Sequence, residues 1–140
     1  MNYFELTGKI RYGESWAWVE CPKDVGDYYR AVAKWIWGVK LNAPRNGLHI
    51  TLVAGKYEKP LVPDIWGKRE GELITFAYSG MVSVAPYWWL KIVEDSQLRA
   101  FRRELGLPEE LKYAMHATVG RDRNYVGPAE EELTNLEMSD

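Results

Sequence analysis

Two stretches organise this chain: Leu48-His49-Ile50-Thr51-Leu52-Val53-Ala54-Gly55 and Met115-His116-Ala117-Thr118-Val119-Gly120. Both are short, apolar and bounded by glycine, as buried strands are. The chain has only two histidines, and each is followed two places later by one of only five threonines. Chance sets Thr at that place after both with a frequency of (5/140)², roughly one in 800. On a strand, positions i and i+2 share a face while i+1 faces the other way. His49 and Thr51 therefore point one way and Ile50 and Leu52 the other, toward a covering helix. His116 and Thr118 do the same in the second stretch.

Working outward, the same elements precede each stretch. Phe4 to Tyr12 alternates as a strand, with Leu6, Gly8, Ile10 and Tyr12 on one face and Lys9 and Arg11 on the other. Gly13-Glu14 turns into a second strand, Ser15 to Glu20, carrying Trp16 and Trp18 on one face. Cys21-Pro22 breaks it, and Asp24 caps a helix with Val25, Tyr28, Tyr29, Val32 and Ile36 at helical spacing. Tyr28-Tyr29 and Trp35-Ile36-Trp37 read as core residues of that helix, and Gly38 ends it. A loop with Pro44, Arg45, Asn46 and Gly47 leads to the strand 48–54.

In the second half, an irregular connection over 60–71 precedes strands at Glu72–Tyr78 and Tyr87–Val93. Asp95 or Ser96 opens a helix with Leu98, Phe101, Arg102 and Leu105, closed by Gly106 and Pro108. The last strand runs from about Met115 to Val119. Strand, strand, helix, strand thus occurs twice, and the expected fold is α/β (of the α+β kind) in one domain, 1–140. Its two pseudo-symmetric lobes, roughly 1–59 and 60–126, each hold an antiparallel sheet and a covering helix around a central cleft. The tail, 127–140, is acidic (Glu130, Glu131, Glu132, Glu137, Asp140), with one short helix expected after Pro128.

Composition narrows the function. At 140 residues with 46% hydrophobic and 27% charged side chains, the chain is an ordinary globular domain, not a disordered or fibrous one. No apolar run approaches the roughly 20 residues of a membrane span, and the start shows no secretory leader. One cysteine excludes a disulfide framework and a multi-Cys zinc site, so the expected setting is a reducing cytoplasm. A net charge of −2 argues against grip on long nucleic acid, where phosphate contacts supply most of the affinity. Seven Trp, nine Tyr and three Phe are the outlier, enough for a Trp-rich core with stacking platforms to spare.

If the halves pack about a pseudo-twofold axis, His49, Thr51, His116 and Thr118 meet across one cleft. Two imidazoles facing a phosphodiester suit general acid–base chemistry, one taking a proton from the nucleophile and the other giving one to the leaving oxygen. Each Thr hydroxyl donates to a non-bridging oxygen as charge develops there. No metal and no cofactor is required, and the histidines lack zinc-ligand spacing. A two-imidazole centre predicts a bell-shaped pH profile. Among nearby basic residues (Arg45, Lys56, Arg121, Arg123), Arg121 is the phosphate-binding candidate. Trp88 and Trp89 fall on opposite faces of one strand, one for the core and one for the cleft, with Trp88 the candidate for substrate. Cys21 has no histidine left to activate it as a nucleophile.

These residues resemble the 2H phosphoesterase superfamily, named for its paired His-x-Thr motifs; the resemblance covers roughly residues 3–124. Phe4-Glu5-Leu6-Thr7-Gly8-Lys9-Ile10 and Tyr87-Trp88-Trp89-Leu90 look most like short phage-encoded members, which include anti-CBASS phosphodiesterases that degrade cyclic oligonucleotide messengers of bacterial immunity. The resemblance implies attack of a ribose 2′-OH on a 3′–5′ phosphate, assisted by His49 and His116, with Thr51 and Thr118 holding the phosphate. It implies a small cyclic oligonucleotide as partner, in the host cytoplasm, and base-holding aromatics, for which Tyr12 and Tyr125 are the candidates. The acidic contribution of such members falls to Glu130–Glu132 or Glu137. The same four residues would serve a 2H enzyme on RNA ends, cleaving 2′,3′-cyclic phosphates or 2′–5′ linkages. A nucleotide-sequestering protein without turnover is the alternative from another class.

Overall fold

The computed structural model describes residues 3–56, 58–109 and 115–126. Its elements are β1 (Phe4–Tyr12), β2 (Ala17–Glu20), α1 (Lys23–Trp37), β3 (Leu41–Asn42), β4 (His49–Val53), β5 (Leu73–Val84), β6 (Tyr87–Glu94), α2 (Ser96–Glu104) and β7 (His116–Asp122). The mixed α/β class and the twofold order of elements are as the pattern predicts. The acidic tail and the helix expected after Pro128 lie outside the described residues.

Every strand pairing is antiparallel, and β1–β2–β4–β7–β6–β5 close on themselves into one six-stranded barrel. Equivalent strands meet at both seams: β1 with β5, and β4 with β7. Closure removes the exposed sheet edge that either three-stranded half would carry alone. The additional β3 lies along β7 beyond the end of β4, with Leu41 opposite Asp122 and Asn42 opposite Arg121. Gly120 permits this approach, because a Cβ there would stand 2.6 Å from the Asn42 carbonyl oxygen. Two residues show no periodicity, so β3 is invisible to pattern.

Alternation along β1, β2, β4 and β7 sends Ile10, Val19, Ile50, Leu52, Ala117 and Val119 to one buried face. They share a core with Ile74, Phe76 and Leu90 and with Ala33, Leu98 and Phe101 of the helices. Each fully buried aliphatic there contributes about 1.5–3 kcal/mol. The helices lie at opposite ends of the ring. Gly26 of α1 sits against Leu48 at the start of β4, whereas Arg102 of α2 reaches the Leu52 carbonyl near its end, at 2.7 Å.

Local details depart from the pattern. Pro22, not Asp24, is the α1 N-cap, and Asp24 falls in the first turn, where its charge suits the helix dipole. Gly38 ends α1 as expected, in the left-handed region at φ 68°. The buried stripe of α1 runs through Gly26 and Ala33, with Tyr29 packed on the core. Val25 of the expected stripe also packs on the core, and these small residues let the helix approach the barrel so closely that only this narrow strip of it is covered. Tyr28, Trp35, Ile36 and Trp37 are therefore exposed, at 61%, 77%, 66% and 53%, and are not core. Trp16 lies before β2 in the turn, where its carbonyl accepts from the Gly13 amide.

Candidate active site

The seam between β4 and β7 carries both His-x-Thr pairs. His49 stands opposite Thr118 and Ile50 opposite Ala117, and continuing that register sets Thr51 opposite His116. Opposite residues in an antiparallel pair share a face, so all four polar side chains lie together on the face turned away from the core. His49 and His116 are diagonal neighbours, their backbones about 7–8 Å apart by sheet geometry. His49 and Thr118 are almost wholly buried, at 1% and 2% exposure, while Thr51 and His116 are half-buried.

His49 Nδ1 lies 2.8 Å from the Gly47 carbonyl oxygen. A carbonyl only accepts, so Nδ1 carries the proton and donates. Nε2, the other ring nitrogen, then carries a lone pair when the ring is neutral and an N–H when it is charged. The His116 ring is stacked on Trp89, with centroids 3.8 Å apart and planes 18° apart, which fixes its plane.

Following the registers outward gives two rows across the wall. One runs Lys9, Glu20, His49, Thr118, Trp89; the other runs Arg11, Trp18, Thr51, His116, Lys91. Each Thr thus has a Trp beside it on the neighbouring strand of its own half, and each His a charged residue. These neighbours form a second duplication, Trp18-Val19-Glu20 and Trp89-Leu90-Lys91, in the strand just before each helix. The signal stood in the sequence one strand upstream of the histidines, and the His-x-Thr reading alone passes over it.

The other expected site residues divide. Trp89, not Trp88, joins the histidines; Trp88 packs on the core and on Trp37, with centroids 5.3 Å apart. A bulge in the β6–β7 ladder separates their settings. Tyr12 is likewise on the core face, its ring edge-on to Trp66 at 5.0 Å and tilted on Phe101 at 6.0 Å. Its face follows from its register with Ala17, next to the Arg11–Trp18 pair that lies on the histidine side. Arg121 is exposed and pairs across the ladder with Tyr87, two residues before Trp89. This puts it on the histidine side, one step along. Tyr125 sits in the turn after β7, where its amide bonds the Asp122 carbonyl. Arg123 donates to Asn42 Oδ1 at 2.9 Å.

Cys21 is buried, and burial pushes its thiol up to about 12, far from a reactive thiolate. Among the described residues no cluster of three His, Cys, Asp or Glu side chains is arranged to hold a metal ion, and no helix is long and apolar enough to cross a membrane. Family models, curated proteins and solved structures show no match to this chain.

Proposed function

We propose that this protein is a phosphodiesterase of the 2H type, working without a metal on a small cyclic oligonucleotide with 3′–5′ linkages. The observation that carries the reading is the β4–β7 register, which brings both His-x-Thr pairs to one face with His49 opposite Thr118. In this reading the halves of the barrel are the two lobes and the seam is the floor of the cleft. A role in phage counter-defence within a host cytoplasm draws on the likeness of Phe4–Ile10 and Tyr87–Leu90 to small phage members. The short, base-bearing substrate fits the charge of −2 and the aromatic excess.

The chemistry is an in-line displacement at phosphorus. A ribose 2′-oxygen forms a bond to phosphorus as the bond to the 5′-oxygen breaks, giving a 2′,3′-cyclic phosphate and a free 5′-hydroxyl. One imidazole takes the 2′-OH proton and the other supplies the proton that the leaving 5′-oxygen gains. Thr51 and Thr118 donate to the non-bridging oxygens. The Gly47 carbonyl orients His49 and the Trp89 ring orients His116, as second-layer groups do in other acid–base centres.

Trp89 is then a positioning residue. Trp89→Ala should lower kcat about 100-fold, the cost of misplacing a catalytic group by about an ångström, with KM little changed. Trp89→Phe, which keeps a stacking face, should stay much closer to wild type. Steady-state kinetics of the two variants check this; equal losses would mean that the ring plane is immaterial.

The reading is tested by a product assay in excess EDTA against cyclic di- and trinucleotides, alongside an RNA end bearing a 2′,3′-cyclic phosphate. Opening of a 3′–5′ ring by the protein, with EDTA harmless, is the expected result. Cleavage of the RNA end alone would move the substrate to RNA termini. Binding of a cyclic nucleotide with no product at any pH would make the protein a nucleotide-sequestering one.

A further inference from the structure

A cavity of about 550 Å³ opens between β1, β2, the start of α1 and the loop before β4, and its lining reaches Gly47 and Leu48, the two residues before His49. Small-molecule sites span about 300–1,000 Å³, so it has room for a nucleotide-sized group. Gly47, whose carbonyl orients His49, and Glu20, the cross-strand neighbour of His49, both line it. Its walls combine apolar surface (Leu48, Leu73, Pro44) with the cations Lys9, Lys23, Arg30 and Arg45.

The charges are not equivalent. Lys23 and Arg30 are both committed to Asp27, and the Glu20 carboxylate is met by Arg11. Lys9 and Arg45 are exposed and make no ion pair or side-chain hydrogen bond among the described residues. Two uncommitted cations beside apolar walls are what a nucleotide requires: charge for phosphate, and a flat dry surface for base and sugar. Lys9 heads the row Lys9, Glu20, His49, two strand spacings from the imidazole, about 10 Å.

We propose that this cavity binds the nucleotide next to the scissile phosphate, with its own phosphate on Lys9 and Arg45 and its base against Leu73 and Pro44. The inference rests on the seam being the phosphodiesterase centre and adds what that reading lacks, a reason to prefer a dinucleotide over a single cyclic nucleotide. It also gives Arg45, one of the basic residues flanking the first His-x-Thr pair, a place of its own in binding.

The test is calorimetric binding of the linear dinucleotide pApA to wild type, Lys9→Ala/Arg45→Ala, Arg45→Glu and the control Lys34→Ala, an exposed lysine on α1. Affinity should fall about tenfold or more in the double variant and in Arg45→Glu, as loss of charge-assisted bonds implies. Lys34→Ala should bind as wild type does. Equal affinity across all four proteins, or no binding to wild type, would overturn the proposal. Failure of the catalytic reading looks different: no ring is opened in the product assay, whereas pApA still binds and still depends on Lys9 and Arg45.

Discussion

His49→Ala and His116→Ala should each reduce turnover by about 10²–10⁴-fold, the usual worth of a positioned proton donor or acceptor. The double variant should be hardly worse than the poorer single one, because groups that act in one step do not contribute additively. His49 is buried and its Nδ1 donates to the Gly47 carbonyl, so alanine removes a structural bond together with the nitrogen proposed for catalysis. His49→Asn separates the two. Its amide can still donate to Gly47, but it has no group that titrates near neutrality. If catalysis depends on Nε2, His49→Asn is as inactive as His49→Ala while unfolding at a higher urea concentration. Asparagine retaining wild-type turnover would mean that His49 only shapes the loop. The pH profile gives an independent check. Wild type should fall away on both sides of an optimum, and a rate that climbs steadily to pH 10 would oppose a two-imidazole mechanism.

The His-x-Thr pairs were legible because alternation on a strand is a local property: residue spacing alone says that His49 and Thr51 share a face. The joining of β4 to β7 was legible only in outline, since the repeat predicts that equivalent strands meet but not their register. Tyr12 and Trp88, the aromatics expected at the substrate, pack on the core for different reasons. Tyr12 follows the apolar alternation of β1 faithfully, and the core claims it with Trp66 and Phe101. Trp88 and Trp89 were correctly set on opposite faces, but two adjacent identical residues give no local sign of which faces inward. The β6–β7 register decides that. For α1 the periodicity was right, and Val25 and Tyr29 of the expected stripe pack on the core while Tyr28 and Ile36 do not. A stripe counted from large side chains overlooks how closely Gly26 and Ala33 allow a helix to approach. The cavity proposed for a nucleotide was illegible, because Lys9 and Arg45 are remote in sequence and brought to one cavity by pairing of β1, β2 and β4.

The second large effect concerns stability, at a residue whose spacing was legible and whose chemistry was not. Arg102 lies on the core stripe of α2 with Leu98, Phe101 and Leu105, and it is 0% exposed. Its guanidinium donates to the Leu52 carbonyl at 2.7 Å, to the Pro108 carbonyl at 2.7 Å and to both oxygens of Glu58. Glu58 in turn accepts from the Ala54 amide at 3.1 Å. One side chain thus ties the end of β4, the connection that follows it and the segment after α2. Breaking a buried pair by removing one partner costs about 3–5 kcal/mol, because the other charge is left uncompensated. Against a total stability of about 5–15 kcal/mol, Arg102→Met should bring the protein near its unfolding threshold, seen as a large drop in the urea midpoint. Glu58→Gln should cost less, since the amide oxygen still accepts from Arg102. Arg102→Met/Glu58→Leu should recover part of the loss, because the stranded carboxylate goes with the guanidinium and its place is filled by apolar surface. If the double variant is instead no more stable than Arg102→Met, the two carbonyls left without a donor outweigh the ion pair, and Arg102 holds the end of β4 as a hydrogen-bond donor first and as a charge second.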